Sequence, residues 1–205
     1  MLEEVGFTGR MGIYMQDYGG PIGNRLVARH PDWSAWQVIQ NANSYEVGFT
    51  EAWDGIRHKL WVDRSPKTEA PLEAFLQPKT VKAIYTTGHP DPSRISPDNW
   101  NVDLFFLARP NAHRVQLDLF YDYRKNAELY PMWQASLREN QPLTLIFWGQ
   151  GDIFFTPEGG EAYLRDLPDA TLVRLDSGHF AVEDCLEEIA NGIVSFYDEH
   201  ARPGG

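Results

Sequence analysis

Four short apolar runs, with a long helix-patterned stretch between the second and third, constrain this fold more than any other feature. The runs are Met11–Gln16, Trp36–Gln40, Leu143–Trp148 and Thr171–Leu175. Each is bounded by turn-forming residues, the pattern of strands buried in a parallel sheet. Gly20–His30 predicts a helix after the first run, with Ile22, Leu26 and Val27 on one face. Pro157–Leu167 predicts another, with Glu158 and Glu161 near its start and Arg165 near its end, an order that suits the helix dipole. After the last run, Glu183–Glu199 predicts a helix burying Leu186, Ile189, Ile193, Val194 and Phe196. Strands alternating with helices at these spacings predict an α/β fold, a parallel sheet with right-handed crossovers.

Asn41–Gln141 breaks the alternation. It carries Pro66, Pro71, Pro78, Pro90, Pro92, Pro97 and Pro110 and predicts helices at Val47–Trp61, Leu72–Thr87, Pro97–Leu107, Ala112–Tyr123 and Asn126–Asn140. About 100 residues of such sequence is an insertion, since loops seldom exceed ~15 residues. The expected organisation is a core over 1–44, a helical cap subdomain over 45–141 and a returning core over 142–205. The tail Ala201–Gly205 is expected to fray.

Composition narrows the function. Of 205 residues, 42% are hydrophobic and 13% aromatic, enough for a packed core and against global disorder. The net charge of −11 argues against nucleic acid, whose phosphates need clustered Lys and Arg, and against an anionic membrane surface. No apolar run approaches the ~18 residues of a membrane span. The start MLEEVGFTGR lacks a signal peptide's apolar core. Cys185 is the only cysteine, so neither an intrachain disulfide nor a thiolate cluster can form. Its expected role is packing in the last helix. A soluble, cytoplasmic protein is the expectation.

Three polar positions each follow an apolar run. In Met15-Gln16-Asp17-Tyr18-Gly19-Gly20, a strand gives way to one polar residue, glycines and a helix. Such a turn holds a nucleophile at the mouth of a sheet, with backbone N–H groups nearby for developing charge. An Asp before a helix also serves as an ordinary N-cap. Trp148-Gly149-Gln150-Gly151-Asp152 puts a carboxylate at a strand's C-terminal end, where open α/β sheets keep their sites and where turns also use Asp. Ser177-Gly178-His179-Phe180 follows the last run. Any one of these is commonplace; Asp, Asp, His in order, each after a strand, is not. The six histidines show no HExxH and no paired spacing, and GGPIG lacks the Lys and Ser/Thr of a P-loop, so no metal and no cofactor are expected.

In this order the motifs resemble the α/β-hydrolase superfamily, in the branch with an aspartate nucleophile that contains haloalkane dehalogenases and epoxide hydrolases. Gln16-Asp17-Tyr18-Gly19-Gly20-Pro21-Ile22-Gly23 resembles the nucleophile elbow, Phe147–Asp152 with Pro157 the acid loop, and Asp176–Phe180 the histidine loop. The insertion falls where the family places its cap, between its sixth and seventh strands. The resemblance implies Asp17 as nucleophile, His179 as base and Asp152 as its orienting acid. Two departures stand out. Met15 occupies an elbow position that usually holds a small residue. The family also places four strands before the elbow strand, so a fragment, a truncated reading frame or one half of a split protein is expected. Gly88-His89-Pro90 does not replace the family's early His-Gly loop, because it falls in the insertion.

A carboxylate nucleophile suits displacement at saturated carbon, through an alkyl ester that His179 then helps water to hydrolyse. Haloalkane dehalogenases take a halide donor from a Trp after the nucleophile, and fluoroacetate enzymes place Arg there; this chain has Tyr18. Tyr123-Arg124 resembles the cap Tyr-Arg segment of epoxide hydrolases, with Tyr121, Tyr130 and Tyr45 as further candidates and ordinary packing as the alternative for each. Asn43, in Asn41-Ala42-Asn43, is a candidate donor into the site or a turn residue. The expected substrate contacts are thus Tyr18, Tyr123, Asn43 and Tyr45. Epoxide hydrolysis is expected first and dehalogenation next, on a small apolar substrate with water. The rival is a non-catalytic remnant whose exposed edge strand pairs with a second copy or a complementing N-terminal half.

Overall fold

A four-stranded, all-parallel sheet forms the spine of the computed structural model, which describes residues 4–7 and 9–201. Its strands are β1 (Met11–Gln16), β2 (Ser34–Gln40), β3 (Leu143–Gly149) and β4 (Thr171–Leu175), side by side in that order. The helices are α1 (Gly19–Arg29), the single-turn α2 (Pro66–Glu69), α3 (Pro78–Thr86), α4 (Pro97–Leu107), α5 (Ala112–Asp122), α6 (Arg124–Asn140), α7 (Pro157–Asp166) and α8 (Leu186–Phe196). This is the α/β architecture that the apolar runs predict. The expected fraying of the tail falls, beyond Ala201, outside the described residues.

The strand period of two sorts β3 onto two cores. Ile146 and Trp148 join Met15 and Ile39 in a large cluster that takes in Trp53, Tyr123, Tyr130, Trp133 and Tyr163. Leu145 and Phe147 join Val38 and Leu175 in a smaller one closed by Ile189 and Phe196 of α8. β2 and β3 are buried through their C-terminal halves, so both deliver their following loops from rigid positions. β1 lies at one end of the sheet and is only half-buried along most of its length.

Some predicted faces are corrected. Val27 is buried as expected, but Ile22 is 70% exposed, and α1 turns Gly20 and Gly23 inward in its place. The reason is close approach: a Cβ on Gly20 would lie 2.8 Å from that of Ala42, and one on Gly23 2.2 Å from the Met15 sulfur. Leu186 and Val194 are exposed, because α8 packs through Ile189, Ile193 and Phe196. Cys185 is not inside this helix but caps it, half-buried against the smaller core.

The insertion departs most from its helical pattern. Val47–Trp61 is not one helix but 3-10 turns at Glu46–Gly48 and Glu51–Trp53 followed by a π turn at Ile56–Leu60. Between them the backbone extends to bridge Phe49 with Phe155, while Gly48 O accepts from Thr156 N–H and Thr50 N–H donates to Phe154 O. Long-range pairing with the loop after β3 overrides local periodicity. Leu72–Thr87 breaks at Gln77, which is extended as the residue before a proline prefers, and Pro78 opens α3.

Candidate active site

β1 ends at Gln16, and Asp17 takes a left-handed conformation with φ 46°. Its N–H donates to Asn41 O at 3.3 Å and its C=O accepts from Gly20 N–H at 2.9 Å, so the chain reverses sharply into α1. Tyr18, not Asp17, holds the N-cap position, and no side chain caps the helix. The Asp17 carboxyl accepts instead from the Tyr18 N–H. Asp17 is a residue type that tolerates this backbone region, where most side chains are strained. Met15 does not loosen the turn: it is fully buried, its thioether filling the space that Gly23 leaves.

Asp152 and His179 come together behind this turn. His179 Nδ1 lies 2.9 Å from Asp152 Oδ2 and His179 Nε2 3.9 Å from Asp17 Oδ1. An ionised carboxylate only accepts, so Nδ1–H donates to Asp152, leaving Nε2 on the Asp17 side, where the Gln16 amide nitrogen also lies 3.4 Å from it. Asp152 also keeps its turn role, Oδ1 accepting from Phe154 N–H at 2.7 Å. Of the segment Asn41-Ala42-Asn43, a candidate donor into the site, it is Asn41 rather than Asn43 that reaches Asp152. Asn41 sits at the end of β2 with φ 42°, donates from Nδ2 to Asp152 Oδ2 at 2.8 Å, and accepts at Oδ1 from Gly149 N–H at 2.9 Å. Its signal was an Asn directly after a strand, a residue able to take left-handed backbone. The sequence reading missed Gln16 and Gln40; both amides donate to the His179 carbonyl, at 3.4 and 3.1 Å.

Burial sets the electrostatics. Loss of water raises the Asp17 carboxyl pKa above its ordinary value, with His179 and the Tyr18 N–H opposing. Burial also works against a charged His179, but the charge and hydrogen bond of Asp152, with Asp17 opposite, hold its pKa above the usual histidine value. Desolvation, then the Asp17 charge, push the Tyr18 hydroxyl up, so it stays protonated.

Asp17 and His179 open on a cavity of about 500 Å³ with mainly apolar walls, including Trp53, Phe75, Val81, Phe120 and Phe154. Tyr18 lines it beside Asp17, and its buried hydroxyl has no hydrogen-bond partner among the described residues. The other expected contacts are corrected. Tyr123 lies behind Tyr18, ring edge to face at 5.6 Å, its hydroxyl 3.4 Å from that of Tyr130. It packs in the aromatic core rather than lining the cavity. Asn43 spends both side-chain atoms on Tyr45, Nδ2 donating to its C=O and Oδ1 accepting from its N–H. This is the turn alternative. Tyr45 donates to Asp166 at 2.7 Å, which Arg138 also holds, and does not line the cavity. Tyr85, unanticipated, does line it, donating to Asp103 at 2.7 Å.

No family model matches the chain. Over 194 residues it is 33% identical to the uncharacterized hydrolase YNR064C of Saccharomyces cerevisiae, covering 93% of this chain and 67% of the yeast protein. The chain belongs to the same hydrolase family as this yeast protein, and its fold is that of the α/β-hydrolases. Solved α/β-hydrolases share its fold at low identity. The epoxide hydrolase CorEH superposes with a TM-score of 0.71 at 12% identity, over 96% of this chain and 70% of that one. A mutant haloalkane dehalogenase DatA from Agrobacterium tumefaciens C58 gives 0.72 at 14%, over 97% and 70%. The serine hydrolase CCSP0084 of Cycloclasticus zankles gives 0.68 at 18%, over 96% and 66%. This α/β-hydrolase chain thus spans about two thirds of the length of the relatives it matches. Among its described residues, no helix is long and apolar enough to cross a membrane.

Proposed function

We propose that this α/β-hydrolase opens apolar epoxides through an ester on Asp17. The observation that carries the reading is the disposition around one imidazole: Asp152 on Nδ1 and, across from Nε2, a carboxylate on a left-handed turn facing an apolar cavity. Asp17 Oδ attacks an epoxide carbon; the ring C–O bond breaks and its electron pair stays on the epoxide oxygen. Tyr18, which lines the cavity beside Asp17 and whose hydroxyl has no hydrogen-bond partner among the described residues, gives that oxygen its proton once its side chain turns to meet the substrate. His179 Nε2 then takes a proton from water, whose oxygen attacks the Asp17 carboxyl carbon. The acyl C–O bond breaks, the leaving alkoxide takes the remaining proton of the added water oxygen and departs as the diol, Asp17 is restored as a carboxylate, and the imidazolium proton returns to the Tyr18 oxygen. Asp152 orients and stabilises the imidazolium. Residues 45–141 act as the cap that shapes the apolar pocket.

The test is trapping. His179→Gln incubated with an apolar epoxide should carry the substrate's added mass on the Asp17 peptide, and wild-type in a single turnover in heavy-oxygen water should place the label on Asp17. Label found only in the diol would mean direct attack by water and end the proposal. Halide release from haloalkanes without diol formation from epoxides would select dehalogenation by the same nucleophile.

A further inference from the structure

Gly88-His89-Pro90 does not line the cavity, yet the backbone just before it and its glycine are pressed between the loops that carry Asp152 and His179. Gly88 has φ +84°, and a Cβ there would lie 2.2 Å from Gly151 O. A Cβ on Gly178 would lie 2.1 Å from Thr87 O. Gly151 precedes Asp152 and Gly178 precedes His179, so residues 87 and 88 touch, backbone on backbone, the immediate neighbour of each. The two loops are themselves joined by Gly151 N–H donating to Ser177 O at 2.9 Å.

A buried side-chain cluster holds the segment in place. His89 Nδ1 lies 2.5 Å from Asp184 Oδ2, and Ser177 Oγ donates to Asp184 Oδ1 at 2.8 Å and lies 3.3 Å from the same His89 nitrogen. The His89 side chain is fully buried and that of Asp184 6% exposed. Ser, His and Asp are the residue types of a hydrolytic triad. Here, however, hydroxyl and carboxylate both address Nδ1, whereas a relay needs them on opposite ring nitrogens. The cluster is therefore an anchor and not a second catalytic centre. Tyr85 adds a second tie, stacking on Phe180 with ring centroids 4.4 Å apart.

We propose that residues 87–89 are a positioning wedge that sets the distance between Asp152 and His179, with His89 as its anchor. The proposal rests on reading Asp152 and His179 as the working pair, but its readout needs no turnover. The probe is the proton resonance of the Asp152–His179 hydrogen bond in the full, ligand-free chain, assigned by its loss in Asp152→Ala. In His89→Ala and in Ser177→Ala, which removes a bridging hydroxyl without changing charge, the resonance should shift or vanish. His89→Asn places an amide nitrogen where Nδ1 stood and should restore it. A resonance unmoved in folded His89→Ala or Ser177→Ala would overturn the proposal, even with a lowered Tm, because His89 would then only fasten the insertion. Failure of His89→Asn to restore the signal would equally remove His89 as the anchor. Trapping on Asp17 can fail while this resonance still responds, so the two proposals fall separately.

Discussion

The two carboxylates around His179 occupy opposite environments. The Asp152 side chain is fully buried and saturated: His179, Asn41 and the Phe154 N–H all donate to it. The Asp17 side chain is 28% exposed to the cavity; it receives the Tyr18 N–H and lies 3.9 Å from the imidazole. A carboxylate with its lone pairs engaged is a good counter-ion and a poor nucleophile. One with a free lone pair and little water, held on a sharp turn, is poised to attack. Environment divides the roles of two chemically identical groups.

The sharpest way to break this comparison is to remove each charge without changing shape. Asp17→Asn should cut epoxide turnover by about 10⁴-fold or more, as loss of a nucleophile does. Turnover surviving in steady-state assays, with deamidation excluded by mass, would mean the roles are wrongly divided. Asp152→Asn should cost about 10³–10⁴-fold, because His179 loses its tautomer and its counter-charge. The rate of ester hydrolysis measured after rapid mixing checks this, since alkylation of Asp17 should suffer less. Tyr18→Phe should cost about 10²-fold in alkylation rate, the order for one well-placed donor; an equal loss in the hydrolytic step would point to packing. Asn41→Ala should cost about tenfold in kcat at unchanged KM, from one lost bond to a charged group.

Stability should separate the two carboxylates in sign. The Asp17 pKa is raised in the fold, so stability falls as pH rises from the ordinary carboxylate range through the raised value. Asp17→Asn removes that cost and should raise Tm by a few degrees at neutral pH, whereas Asp152→Asn should lower it, because it unpairs buried groups. The pKa of His179 is also raised, so its contribution is full below the ordinary histidine range and is lost as pH rises through the folded value. The base must be neutral to act, so ester hydrolysis should be lost as pH falls through the His179 titration, at a lower pH than in the free chain because esterification removes the Asp17 charge that helps raise it. A pH series of calorimetric scans, wild-type against Asp17→Asn, reads the first effect, and wild-type rates over the same series read the second.

What was legible in the sequence follows the same division between local and long-range causes. Asp17, Asp152 and His179 were readable because each sits where an apolar run stops at a turn signal, and strand ends in a parallel sheet are fixed by the run itself. The insertion was readable as helical and inserted but not in its details. Phe49 leaves the helical pattern to pair with Phe155, over a hundred residues away in the chain, and no local window contains that partner. Tyr123 and Tyr45 illustrate the same limit: a tyrosine's spacing places it on a face but does not say whether Tyr130 or Asp166 already has its hydroxyl. The segment Asn41-Ala42-Asn43 was legible as a possible donor, but which asparagine donates was not, because Asn41's role exists only when the loop after β3 folds beside it.

The apolar walls of the cavity have one more consequence, for the end of the cycle. The epoxide proposed as substrate has a single weak acceptor, and Trp53, Phe75 and Phe120 are better company for it than water is. The diol that replaces it carries two hydroxyls, each needing partners that these three side chains do not supply. The same lining that extracts the reactant from water is thus a poor host for what it becomes. Departure is favoured by chemistry already completed, and accumulated diol should inhibit weakly compared with an unreactive ether of the same size.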